Sequence, residues 1–150
     1  MKKYKKGFTL IEILLVLGII AILAGIVLVA VNPSRQFKQA RDSQRVSNVN
    51  AILNAIGQNI ADHRGVFTCA GSETVLPENP GQVMKSSGGF DIRPCLVPVY
   101  LAELPHDPSV ESASGSYDTG YTVSRDGDTD RITISSVSEI DPSVPIEVTR

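Results

Sequence analysis

From Phe8 to Val31 the chain has no Lys, Arg, Asp, Asn or Gln, and its one ionisable side chain there is Glu12. About 20 apolar residues cross a bilayer as a helix, so this stretch is long enough to span one. It also exceeds the ~7–15-residue apolar core of a cleaved secretory signal, although Ala21, Ala24 and Ala30 supply small residues of the kind found at such cut sites. A second pattern follows it. Phe37, Val46, Val49, Ile52, Leu53, Ile56 and Ile60 fall, from Val46 onward, at spacings of three and four, which predicts one apolar face of a helix. Gly65, after His63 and Arg64, predicts the stop. A single helix from Phe8 to Arg64 would be about 85 Å long, but Pro33 lacks an N–H and interrupts it. Either a kink or a short melted stretch is expected there, or Asn32 caps a second helix that starts at Pro33.

The stretch from Val66 to Ser116 is rich in Pro, Gly and Ser, holds no sustained period and reads as a mostly irregular connection. Periodicity returns at GYTVSRDGDTDRITISS, where Tyr121 and Val123 alternate against Ile132 and Ile134 around a turn-forming DGDTD. This predicts a hairpin. Val144 to Val148 reads as a third strand, with Pro145 tolerated near an edge. The expected fold is α+β: a long N-terminal, partly transmembrane α-helix packed on a small C-terminal antiparallel β-sheet. Its segments are a basic leader over 1–7, an apolar helix over 8–31, an amphipathic helix over 32–64, an irregular loop over 65–116 and a sheet region over 117–150.

Charge divides the chain along the same line. Up to Asn50 there are eight basic residues and two acids, a net of +6, whereas the remainder holds six basic and fourteen acidic residues, a net of −8. An acidic head argues against direct binding of nucleic acid, which needs clustered Lys and Arg. Basic residues beside the apolar stem fit anionic lipid better. Both flanks of the span are basic, so the positive-inside bias is slight. The amino terminus is expected in the cytoplasm, because the lysines abut the span and the cysteines prefer an oxidising space on the other side. Glu12, near the cytoplasmic end, is either an acid that reaches the interface or a carboxylate meant for a positive group on another chain.

The residues KKGFTLIEILLVLGIIAILAGIVLVAV, Lys5 to Val31 with the lysines before them, resemble the amino terminus of type IV pilins and the related pseudopilins. The resemblance implies a prepilin: a membrane prepilin peptidase cuts between Gly7 and Phe8 and methylates the new amino group of Phe8. Lys2, Lys3, Lys5 and Lys6 leave with the leader, taking the net charge from −2 to −6. Glu12 corresponds to the family's glutamate and is expected to pair with the Phe8 amino group of a neighbouring subunit. The implied partners are further pilin-like subunits in a homo-oligomeric filament, an inner-membrane assembly platform and, before assembly, membrane lipid. Small residues at Gly18, Ala21, Ala24 and Gly25 would let helices approach closely. The subunit is expected as a single-pass inner-membrane protein with its head outside the cytoplasm, then in an extracellular pilus or an envelope pseudopilus.

Tyr100, Leu101, Leu104, Pro105, Asp107 and Pro108 resemble the loop before the sheet in major pseudopilins of type II secretion, but the Trp-Gly that follows in that family is missing. Cys69 and Cys95 lie in no C-x-x-C motif and beside no His pair, so redox and zinc chemistry are not expected. In an exported chain they predict a disulfide, contributing about 3–4 kcal/mol by the chain-entropy estimate. Asp126, Asp128 and Asp130 alternate in the hairpin turn. Some pseudopilins bind calcium in this region, which makes the three residues calcium candidates, but the spacing lacks a bidentate Glu and a solvated polar turn is the preferred reading. His63 and His106 read as solvated or capping residues. No phosphate loop, nucleophile elbow or metal-ligand cluster points to catalysis. The expected function is structural, in a type IV pilus-like filament serving adhesion, motility or DNA uptake. The alternatives are a type II secretion pseudopilin and, further off, a non-polymerising single-pass protein with a ligand-binding head.

Overall fold

The computed structural model describes residues 7–111 and 115–150, so the leader lysines Lys2, Lys3, Lys5 and Lys6 lie outside the described residues. The chain divides into two compact units, residues 1–37 and 38–150.

Helix α1, Leu10–Ala30, opens on an N-cap at Thr9, whose hydroxyl accepts from the Glu12 N–H. It is apolar on all sides, and none of its residues is buried within the chain. A helix without a polar face has no use for water around it. α1 is long and apolar enough to cross a membrane by length and composition. It stops before Pro33, and helix α2, Pro33–Asp62, begins at that proline. Asn32 accepts the Arg35 N–H at its Oδ1 and the Gln36 N–H at its backbone oxygen. Of the two expectations for Pro33, the structure therefore takes the capped restart: a proline at the first helical position forfeits an N–H that would have no partner anyway.

The inward face of α2 is longer than its apolar stripe. Asp42, Arg45, Val49, Ile52, Leu53, Ile56 and Asn59 are buried at spacings of three and four. Val46, expected on the apolar face, is exposed instead, as is Phe37 before it. Polar side chains occupy the first two inward positions, and hydrophobic spacing could not see them. The helix ends at Asp62, where the Gly65 N–H reaches back to the Ile60 carbonyl and Gly65 takes φ +93, a conformation suited to glycine.

A short hairpin follows, of β1 (Thr68–Cys69) and β2 (Ser72–Glu73). The main sheet is antiparallel in the order β3 (Gln82–Lys85), β4 (Asp118–Arg125), β5 (Ile132–Ser136), β6 (Ile146–Thr149), and a one-turn helix α3 (Arg93–Leu96) precedes β4. Three corrections to the sequence reading follow. The sheet has four strands rather than three, because β3 comes from the stretch read as irregular; it is four residues long and only Met84 on it is buried, too little to show a period. In the hairpin Val123 faces Ile134, but Ile132 faces Arg125 rather than either Tyr121 or Val123, so Tyr121 lies beyond both pairs. The last strand starts at Ile146, past Pro145.

Tyr121 and Val123 of β4, Ile132 and Ile134 of β5 and Met84 of β3 share one core with Val49, Ile52, Leu53 and Ile56 of α2, closed by Leu96 of α3 and by Phe67, Leu76, Ile92 and Leu104 from the connections. Each large side chain so buried contributes about 1.5–3 kcal/mol relative to exposure. The fold is α+β and pilin-like, an N-terminal apolar helix and a further helix with a small antiparallel sheet.

Candidate functional site

Two sites concentrate chemistry, one in each unit. The first is the start of α1. Gly7 and Phe8 precede the helix outside any helix or strand, and Phe8 is 86% exposed. Glu12 closes a capping box with Thr9. Its Oε2 accepts the Thr9 N–H at 2.8 Å and the Thr9 hydroxyl at 2.9 Å, while the Glu12 N–H donates to Thr9 Oγ1 at 3.3 Å. The box satisfies two of the N–H groups that a helix start leaves open. Glu12 Oε1 has no hydrogen-bond partner among the described residues. The carboxylate is thus aimed back along the helix toward the Phe8–Thr9 backbone, with one oxygen still able to accept. The Thr-x-x-Glu spacing at Thr9 and Glu12 is a capping-box signature that pattern reading could have found.

Around this acid the helix offers nothing but apolar surface. Every residue from Gly7 to Ala40 is exposed. An apolar face of this kind stays in water only at a cost of about 25 cal/mol per Å², so it calls for lipid or for another protein surface.

The second site lies in the head, around Arg45. This guanidinium is 2% exposed, and all three of its nitrogens donate inside the fold. Its Nε donates to Asp107 Oδ2 at 2.6 Å and Nη1 to Asp42 Oδ1 at 2.7 Å. Nη2 reaches Asp107 Oδ1 at 2.8 Å, Ser109 Oγ at 2.8 Å and Glu139 Oε1 at 2.6 Å. Arg41 forks onto the same Glu139. Asp42 in turn accepts the Ser138 hydroxyl and the Glu139 and Ile140 N–H groups.

Two guanidinium groups and three carboxylates thus tie α2 to the loop after Leu104 and to the segment between β5 and β6. Burial pushes the Asp42 carboxyl up, but the Glu139 N–H, Ser138 and Arg45 outweigh it and hold it at about 2. Asp107 is likewise raised by burial and then brought down to about 2 by Arg45 and Ser109. Arg41, with Arg45, holds Glu139 at about 2. The Asp107 pairing raises Arg45 above its ordinary value, so it stays charged throughout. A cluster paired in this way clamps the elements that carry it. Sequence reading singled out Asp107 only within the pseudopilin-like string and missed Asp42, Arg45 and Glu139; the signal for Asp42 and Arg45 was the α2 stripe continued backward by three- and four-residue steps, and Glu139 had none.

Cys69 and Cys95 are joined, with Cα atoms 4.1 Å apart, closing a separation of 26 residues. Asn59 lies beside them, fully buried, donating to the Thr68 and Cys95 carbonyls and accepting the Thr68 N–H. His63 Nδ1 meets the Asn59 carbonyl at 2.7 Å, a capping role at the helix end. His106 contributes its carbonyl, which accepts from the Asn48 side chain.

The aspartates of the hairpin turn are exposed and do not converge. Asp126 accepts from the Thr129 hydroxyl and from the Thr129 and Asp128 N–H groups, which lower its pKa. Asp130 pairs with Arg125 at 3.2 Å. Among the described residues, no group of three or more His, Cys, Asp or Glu side chains is arranged to hold a metal ion.

Residues 2–28 match the family model of the prokaryotic N-terminal methylation motif, the prepilin cleavage motif of type IV pilins and pseudopilins. No curated protein and no solved structure matches the chain.

Proposed function

We propose that this chain, which carries the prepilin cleavage motif, is made as a membrane-anchored prepilin and becomes a structural subunit of a type IV pilus-like filament. Cleavage between Gly7 and Phe8 frees the amino group of Phe8, next in the chain to the Thr9 that Glu12 caps, and that amino group is methylated. The observation that carries the reading is α1: an apolar helix with no buried residue and a single carboxylate at its start. Before assembly lipid covers this helix, and in the filament neighbouring helices do. Transfer between two apolar surroundings changes the free energy little, so subunits can leave the bilayer without exposing the helix to water. Glu12 then exchanges or shares its Thr9 contacts with the Phe8 ammonium of the next subunit, since a carboxylate stripped of water needs a cation.

The Tyr100–Pro108 string favours a second reading, a type II secretion pseudopilin that would stay within the envelope. In this chain Asp107 of that string is committed to Arg45.

Mass spectrometry of the amino-terminal peptide tests both readings. A methylated peptide beginning at Phe8 in material sheared from the cell surface is the expected result for an external filament. The same peptide confined to the envelope would favour the pseudopilin, and an uncut leader on functional protein would overturn processing altogether.

A further inference from the structure

The outward side of α2 is unlike the rest of the head. Between Ser43 and Ala61 the only charged residue of the helix is the buried Arg45, so nothing on the exposed side is charged. Amides and small residues cover most of it instead: Gln44, Ser47, Asn54, Gln58 and Ala61 are all exposed, with Val46 the large apolar residue among them. The turns on either side are charged, with Arg35, Lys38 and Arg41 before it and Asp62 and Arg64 after. An ordinary solvated helix face carries charged pairs that a partner would have to desolvate; this one has had them removed over about five turns.

Gly57 sits in the middle of this face. A Cβ added there would meet no atom of the head within 4 Å. Glycine inside a helix is destabilising relative to alanine, and no close approach within the subunit accounts for it. Asn54, Gly57, Gln58, Ala61 and Arg150 border a depression of about 400 Å³. Among the described residues Arg150 is the one cation at its rim, held over the helix by a 2.8 Å bond to Asn54 Oδ1.

We infer that this face, centred on Gly57, is a docking surface for the head of a second copy of the chain, with Arg150 receiving a carboxylate from it. Charge argues for that occupant. Residues 51–150 carry fourteen acids against six bases, so a second head presents carboxylates to a guanidinium across an otherwise uncharged contact. Head-to-tail contacts between different patches are also what an open helical assembly requires. The inference deepens the filament reading by giving the heads a specific contact besides α1.

The test places a photoreactive residue at Gln58 in the full-length chain in cells, beside Gly57→Ala, Gly57→Leu and Arg150→Glu. Light should give an adduct of twice the subunit mass; an adduct only with another protein, or none, overturns the inference. Gly57→Ala should raise the unfolding midpoint of the subunit, and a drop would mean that the fold itself needs the glycine. Gly57→Leu and Arg150→Glu should keep the wild-type fold by circular dichroism yet lower the adduct and the filament yield at least tenfold. If wild-type filaments form and these variants match them, the docking surface is wrong and the filament reading stands. Wild-type chains that make no filaments, but still give the doubled adduct, would overturn the filament reading and leave the docking surface standing.

Discussion

Each helix carries a charge where its neighbours are apolar or buried, and the two charges have opposite fates. Arg45 on α2 is enclosed and finds three carboxylates within its own head. Glu12 on α1 is exposed, has hydrogen bonds to Thr9 alone among the described residues, and stands on a helix that buries nothing. A charge fully satisfied inside one subunit holds that subunit together. On the proposed function, a half-satisfied charge on an uncovered apolar surface is completed by a neighbouring subunit. The contrast separates the head, whose stability is internal, from the stem, whose surface is completed by lipid or by other chains.

The sharpest way to test that separation is Arg45→Ala. Removing one member of a buried ion cluster leaves the others uncompensated, and a loss of about 3–5 kcal/mol is expected. Chemical unfolding of the detergent-solubilised subunit should read it; a loss under about 1 kcal/mol would show that the cluster is not a clamp.

A smaller effect is expected from acid. Asp42, Asp107 and Glu139 are each held at about 2 in the folded head, below the ordinary carboxylate value of about 4. Their contribution is therefore whole above about pH 4 and is lost as pH falls from there through about 2. For Asp107 alone the depression corresponds to on the order of 2 kcal/mol. The unfolding midpoint should be flat from about pH 7 to 5 and fall steeply below about 4, whereas a fall that begins near neutrality would point to other groups.

The least effect on the head is expected from Glu12→Ala. It removes a capping box worth about 1 kcal/mol to the start of α1 and should leave the head's unfolding within about 0.5 kcal/mol of wild type. Filament yield, by contrast, should collapse while insertion and cleavage continue. Abundant normal filaments from this variant would sink the assembly role of Glu12, and a head destabilised as much as in Arg45→Ala would erase the contrast itself.

Much of this was legible in the residues. The apolar run announces α1 because no soluble surface helix omits its polar face. Asn32-Pro33 announces the restart of α2, since proline costs least where its missing N–H has no partner. Val123 and Ile134 announce the hairpin through alternation. The rest was hidden for definable reasons. β3 presents one buried side chain and is a strand only because β4 supplies its partners. The clamp joins residues up to 98 positions apart, and charged residues on an inward stripe look like solvated ones until something encloses them.

The sequence by itself determined the anchor, its acid, the cleavage motif and the acidic character of the head, because each depends on local composition and spacing along one segment. Tertiary structure alone decided which charges are buried and paired, which face of α2 is left uncharged toward the outside, and where the fourth strand comes from. Those depend on neighbours distant in the chain, and a side chain's burial and partners exist only once the chain has folded around it.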